Sequence, residues 1–260
     1  MKIDARRTAY FPGEVAALEA NSVGPGEVRW SGGGTPAAGE GQGFRTVFSE
    51  GGKYTIGAEC GDEAAQVEIS VCSVREWLER AKDFFGPALD LGAVRVLASR
   101  WVLGPPRTAW TCNTVIRFRR PTRAEDLPSE ATLIHELGHV WEHRAGQAQL
   151  LSGLREQIER RFGRDPYDFG GPTGVRDAAA LTRFSKESQA QIITELWKAE
   201  HGYRTDRKNV EFSTAGYVDD LRRLVRDAGI GTVDPARRTF SSAIDSWAAR
   251  FANFVLARFE

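Results

Sequence analysis

The hydrophobic pattern of this chain changes its period near residue 72, and this change limits the folds open to it. Before that point apolar residues alternate with polar ones, which is the period of a β-strand with one buried face. After it they recur at the spacing of an amphipathic α-helix. The chain of 260 residues is therefore predicted to be an α+β protein, with an antiparallel β-sandwich over 1–72 and a mainly helical domain with a small sheet over 73–260.

The first region contains four short alternating runs separated by glycine clusters. These runs are 27–31, 44–50, 53–60 and 64–72. In the third run every second residue from Tyr54 to Cys60 is apolar or small, so one face of that strand should be buried. The stretch GGKYTIGAECGDEAAQVEISV resembles the closing strands of PKD-type and bacterial immunoglobulin-like modules. This resemblance implies an immunoglobulin-like or PKD-like sandwich over 1–72.

The second region begins with a clear helix signal. In SVREWLERAKDFFGP, Ser73 and Glu76 form a capping box, and Gly86-Pro87 ends the segment. Its apolar residues should form one buried stripe: Val74, Trp77, Leu78, Ala81, Phe84 and Phe85. Two β-rich segments, 92–99 and 108–118, follow and should form the small sheet. Beyond the helix that starts near Glu130, four more segments are predicted to be helical: 149–162, 185–200, 215–229 and 241–259.

Composition excludes some classes of partner. The 35 Lys and Arg residues balance 35 Asp and Glu residues, so the net charge gives no reason to expect nucleic acid. No apolar stretch approaches the roughly 20 residues of a membrane span. The N-terminus lacks the apolar segment of a standard signal peptide, so synthesis in the cytoplasm is expected. The cysteines Cys60, Cys72 and Cys112 are expected to be buried free thiols, although a Cys60–Cys72 pair stays open.

The stretch TLIHELGHVW, residues 132–141, is the main chemical signal. In a helix, residues four apart share a face, so His135 and His139 can offer two imidazole nitrogens to one metal ion. Glu136 can then act as a general base that takes a proton from a metal-activated water. Gly138 costs about 1 kcal/mol of helix propensity, which is easier to understand if another backbone passes close by.

Catalytic zinc sites use three protein ligands, so a further ligand must come from elsewhere. The metzincin pattern needs glycine at 142 and histidine at 145, where this chain has Glu142 and Ala145, so that pattern is excluded. A glutamate from a later helix is the alternative. Glu187 and Glu195 share one face of the predicted helix 185–200. Periodicity alone does not distinguish them from a solvated polar stripe.

Two segments taken together resemble a known family. LIHELGHVWEHRAG and the later YDFGG…LTRFSKESQAQII are similar to zinc metallopeptidase-like domains of the gluzincin-type zincins found in bacterial polymorphic toxins and secretion effectors. The resemblance implies Zn²⁺ as cofactor and Glu187 as the third ligand, with Glu195 in reserve. It also implies that Gln191 hydrogen-bonds a ligand imidazole. Export by a specialised secretion system, with a carrier or an immunity protein as partner, would follow from it.

The resemblance to zincins also suggests how substrate is recognised and how the oxyanion is stabilised. Segment 108–118 stands where zincins carry an edge strand that pairs with extended substrate backbone, so a peptide or protein substrate is expected. Tyr167, Tyr203 and Tyr217 are candidates for stabilising the oxyanion, and Tyr167 leads because it belongs to the resembling segment.

The sequence therefore favours a zinc-dependent endopeptidase with Glu136 as its general base. Two alternatives stay open. One is a catalytically silent zincin scaffold that acts as a binding module. The other is an amidase that cleaves cell-wall peptides, since it would use the same zinc chemistry.

Overall fold

A computed structural model describes residues 1–21, 26–147, 165–203 and 215–231. Over these residues the protein is a mixed α+β structure, as predicted, with several small sheets and five α-helices. The predicted helices at 149–162 and 241–259 lie outside the described residues. No helix in the described ranges has both the length and the apolarity that crossing a membrane requires.

Two sheets account for most of the first 72 residues. Their strands are β1 (Lys2–Ala5), β2 (Ala9–Tyr10), β3 (Val15–Asn21), β4 (Arg29–Gly32), β5 (Ala38–Glu40), β6 (Gly43–Val47), β7 (Gly52–Cys60) and β8 (Glu63–Val71). The first sheet has the order β1-β3-β6 and is antiparallel. The second has the order β2-β8-β7-β4-β5, in which only the β2–β8 pair is parallel. The four predicted strand runs correspond to β4, β6, β7 and β8.

One hydrophobic core joins the inner faces of these two sheets. Leu18 and Phe44 from the first sheet and Trp30 and Ile56 from the second all belong to it. The rings of Trp30 and Phe44 stack with centroids 5.4 Å apart. The face of β7 predicted to be buried is buried from Ile56 through Ala58 to Cys60. The three cysteines are free and buried, so no Cys60–Cys72 disulfide is present.

The first helix, α1 (Val74–Phe85), follows the strands after a two-residue gap. Its predicted apolar stripe faces inward, with Ala81 and Phe85 fully buried. Gly86 ends the helix in a left-handed conformation with φ 53°, which glycine adopts without strain.

A third sheet follows α1. Its strands are β9 (Arg95–Ser99), β10 (Ala109–Cys112) and β11 (Val115–Arg119), in the order β10-β11-β9. The predicted β-rich segment 108–118 is thus a hairpin, and Asn113 with φ 56° lies in its turn. Among the strands that the structure describes, β10 lies at the edge of this sheet.

Four helices complete the described part of the chain. They are α2 (Glu130–Arg144), α3 (Gly171–Asp177), α4 (Lys186–Glu200) and α5 (Ala215–Asp227). Helix α2 packs tightly on α4 at Gly138, where an added Cβ would lie 3.0 Å from the Cα of Ala190. The expectation that another backbone passes close to Gly138 is confirmed.

The described chain separates into two compact units. One contains Met1–Leu78, Leu97–Thr108 and Phe118–Ser129. The other contains Glu79–Val96, Ala109–Arg117 and the described residues from Glu130 onward. The change from strand to helix falls between Val71 and Val74, as the sequence indicates, whereas the domain boundary at 72 stays a prediction.

Candidate metal centre

Helix α2 begins at a buried acidic residue that fixes its first turn. Arg80 donates two hydrogen bonds to the Glu130 carboxylate, at 2.7 and 2.8 Å. The Tyr203 hydroxyl donates a third, at 2.7 Å. A carboxylate in the first turn also interacts favourably with the helix dipole. The start of the helix that carries the histidines is therefore held by specific polar contacts.

Both motif histidines lie on one face of α2, as their spacing predicts. The ring centroids of His135 and His139 are 4.9 Å apart, and the ring planes are nearly perpendicular at 87°. Their side chains are only 13% and 14% exposed. Two imidazoles are thus directed into a mostly enclosed space where they have lost most of their hydration.

Helix α4 brings Glu187 to the same place. Ser185 caps this helix by accepting a hydrogen bond from the Ser188 N–H at 3.2 Å, which places Glu187 in the first turn. The Glu187 Oε2 atom is 3.1 Å from His135 Nε2 and 3.5 Å from His139 Nε2. One ligand atom from each of these three residues lies within 4.8 Å of the others.

The spacing of these three atoms fits a metal ion. Ligand atoms in tetrahedral coordination at about 2.0–2.1 Å from Zn²⁺ are about 3.3–3.4 Å apart. The distances of 3.1 and 3.5 Å from Glu187 to the two imidazoles are close to this value. Two histidines and a carboxylate are also a donor set that catalytic zinc sites use.

The other glutamate on this face of α4 lies elsewhere. Glu195 is buried, accepts a hydrogen bond from Gln191 Nε2 at 2.6 Å and approaches Lys198 Nζ at 3.4 Å. The structure therefore brings Glu187, and not Glu195, to the histidines. Gln191 donates this hydrogen bond to Glu195, and its predicted hydrogen bond to a ligand imidazole stays a prediction.

A residue that sequence reasoning missed contacts the second histidine. Glu142 Oε2 is 3.0 Å from His139 Nδ1, and the Glu142 side chain is fully buried. The signal was present in the sequence, because residues three apart on a helix are neighbours. The sequence showed Glu142 as a departure from the metzincin pattern, and its contact with His139 was not predicted.

The charges of this cluster are coupled. Burial lowers the pKa of His139, but the carboxylates of Glu142 and Glu187 outweigh it and raise that pKa well above its usual value. Burial raises the pKa of Glu187, but the hydrogen bonds from His135 and His139 have a larger opposite effect. The pKa of Glu187 is therefore below its usual range. A protonated His139 can donate from Nδ1 to Glu142 and from Nε2 to Glu187. A divalent cation would take the place of the Nε2 proton.

The predicted general base is held from the third sheet. Glu136 is buried on α2, and its Oε2 accepts a short hydrogen bond of 2.5 Å from the Thr111 hydroxyl on β10. This contact holds the Glu136 carboxylate against β10. Thr111 was not singled out in the sequence, since its role depends on how a strand packs against a helix.

Among the three candidate tyrosines, Tyr167 has a ring contact with a motif histidine. Its ring centroid is 5.7 Å from that of His135. The Ser188 hydroxyl, which donates to the Pro166 carbonyl at 2.8 Å, ties the Tyr167 segment to α4. Tyr203 donates to Glu130, and Tyr217 is buried on α5, where desolvation raises its pKa.

Comparison with known proteins gives a distant relative. No family model matches the chain. The chain is 24% identical over 163 residues to the type VI secretion system spike protein VgrG2b of Pseudomonas aeruginosa (strain PAO1). The match covers 60% of this chain but only 15% of the spike protein. A solved polysaccharide lyase aligns with 87% of this chain and 33% of its own, at 12% identity and a TM-score of 0.26, too low to support any argument.

Proposed function

We propose that this protein is a zinc-dependent endopeptidase with a zincin-like catalytic domain, preceded by an immunoglobulin-like or PKD-like module. One observation carries the proposal. One ligand atom each from His135, His139 and Glu187 lies within 4.8 Å of the others, and a buried carboxylate, Glu136, lies on the same helix turn as the imidazoles. This is the donor set and base that metal-assisted hydrolysis of an amide requires.

A bound Zn²⁺ would supply Lewis acidity and lower the pKa of a coordinated water from ~15.7 to about 7. The residues of this chain would do the rest. Glu136, oriented by Thr111 at 2.5 Å, would accept the proton of the attacking water and return it to the leaving amine nitrogen. The Tyr167 hydroxyl is the candidate donor to the oxyanion that forms on the carbonyl oxygen.

An extended peptide is the proposed substrate. Strand β10 carries Thr111 and pairs with β11 on one side, and no other described strand pairs with its second side. Backbone N–H and C=O groups of such an edge can pair with a substrate strand. Trp110, in the same strand, is 40% exposed and offers an apolar surface to substrate side chains.

A secretion context supports the choice of an effector. The relative named above is a spike protein of a type VI secretion system. Synthesis in the cytoplasm and export by such a system are proposed for this chain too. A secretion carrier and an immunity protein that protects the producing cell are the proposed partners.

Metal analysis combined with three variants tests the proposal. Purified protein should contain one zinc ion per chain, and Glu136→Gln should keep that ion while losing cleavage of a casein substrate. Glu187→Ala should lose the zinc, whereas Glu195→Ala, matched in chemistry and helix, should retain it. Zinc content unaffected by Glu187→Ala would refute the site.

The same experiment separates the alternatives. Bound zinc with no cleavage of casein or of cell-wall peptides would indicate a silent scaffold. Cleavage of cell-wall peptides alone would indicate an amidase. Release of internal peptide fragments from casein, abolished by Glu136→Gln, would establish the endopeptidase.

A further inference from the structure

We infer that Glu142 is a positioning residue for the metal ligand His139. Its carboxylate accepts a hydrogen bond from the His139 Nδ1–H, so that the Nε2 lone pair is presented to the ion. This inference rests on the proposed zinc site. The observation is the 3.0 Å contact between Glu142 Oε2 and His139 Nδ1 within one turn of α2.

The hydrogen-bonding capacity of the pair fixes the tautomer. An ionised carboxylate only accepts hydrogen bonds, so the proton of neutral His139 must lie on Nδ1. Its lone pair then lies on Nε2, which is 3.5 Å from Glu187 Oε2. Two acceptors that face each other repel unless a cation or a proton lies between them. The contact with Glu142 therefore prepares the Nε2 side of the ring for a metal.

Burying the Glu142 carboxylate has a cost for the fold. The side chain is fully buried, and its Oε1 atom has no hydrogen-bond partner among the described residues. A buried carboxylate oxygen without a partner costs free energy. Glu142 therefore lowers the stability of the fold through its unpaired oxygen, and its contact with His139 gives it a role in metal binding.

Another buried glutamate on α2 provides a matched control. Glu130 is 6% exposed and has its carboxylate hydrogen-bonded by Arg80 and Tyr203. It precedes His135 by five positions, and its hydrogen bonds go to residues other than the two histidines. Glu130 therefore represents a buried carboxylate whose partners serve the fold.

The experiment compares Glu142→Leu, Glu142→Gln and Glu130→Gln with the wild-type full chain. Zinc affinity is measured by competition with a chromophoric chelator, and the site geometry by the absorption bands of the cobalt-substituted protein. Urea unfolding is measured on metal-free protein. Glu142→Leu should bind zinc about 10–100-fold more weakly, and the cobalt bands of the folded variant should be altered. Glu142→Gln, which keeps an acceptor, should recover part of the affinity.

The outcomes separate this inference from the proposed function. Glu130→Gln should unfold more easily and bind zinc as wild type does. Wild-type zinc affinity and cobalt bands in Glu142→Leu would overturn the role of Glu142 and leave the zinc site intact. The role of Glu142 would also be overturned if Glu142→Leu lost zinc only because it unfolded, and Glu142→Gln bound zinc as wild type does. Wild-type protein that binds no zinc would overturn both.

Discussion

Replacing Gly138 with alanine would test whether the spacing of α2 and α4 sets the metal centre. The added Cβ would lie 3.0 Å from Ala190 Cα, 3.1 Å from Ala190 Cβ and 3.5 Å from Ile193 Cδ1. The first two distances are shorter than ordinary van der Waals contacts, so the helices must separate by a few tenths of an ångström. Gly138 immediately precedes His139 and Ala190 follows Glu187 by three positions, so this separation also stretches the ligand set.

Two opposing effects determine the size of the stability change. Alanine improves helix propensity over glycine by about 1 kcal/mol. Overpacking a tight core contact costs about 1–3 kcal/mol. Gly138→Ala should therefore destabilise the metal-free protein by about 0–2 kcal/mol. Gly216 on α5 is the matched control, because nothing lies within 4 Å of the position where its Cβ would be. Gly216→Ala should be neutral or stabilising by up to about 1 kcal/mol.

Urea unfolding and zinc competition on both variants provide the measurement. The difference in unfolding free energy between Gly216→Ala and Gly138→Ala should be about 1–3 kcal/mol, which is the overpacking contribution. Zinc affinity should fall in Gly138→Ala and stay unchanged in Gly216→Ala. Equal stability of the two variants together with unchanged zinc affinity in Gly138→Ala would refute the argument.

Two other changes test separate features. Thr111→Val removes the hydrogen bond to Glu136 at nearly constant volume, so kcat on a peptide substrate should fall about tenfold, ~1.4 kcal/mol, with zinc content unchanged; a kcat within about twofold of wild type would contradict it. Burial raises the pKa of the Cys72 thiol to about 12, so the unfolded chain loses this proton at lower pH than the folded protein. Between pH ~9 and ~11 the unfolding free energy should therefore fall by about 1.4 kcal/mol per pH unit from this group, and Cys72→Ala should remove that part of the slope in urea titrations.

Local patterns predicted the elements that bury one face. The alternation through Ile56 and Ala58 gave the inner face of β7, and the spacing of Ala81 and Phe85 gave the inner face of α1. Strands β1, β2, β3 and β5 were missed. They are short or rich in alanine and glycine, so their apolar alternation is weak.

The ligand set was predictable for a different reason than its surroundings. His135 and His139 are related by helix geometry alone, which a sequence displays. The contact from Thr111 to Glu136 depends on a strand and a helix meeting, which no local pattern encodes. The predicted role of Gln191 came from the resemblance alone, and its hydrogen bond to Glu195 is a side-chain contact that the sequence does not display.

The contact between His135 and Glu187 joins positions 52 residues apart in the chain. An ion held by both would act on the unfolded chain as a reversible cross-link, in the manner of a disulfide. In the chain-entropy description, closing a loop of this size removes about 4 kcal/mol of conformational freedom from the unfolded state. Removing the ion with a chelator would then make the protein easier to unfold, and its stability would depend on the zinc concentration around it.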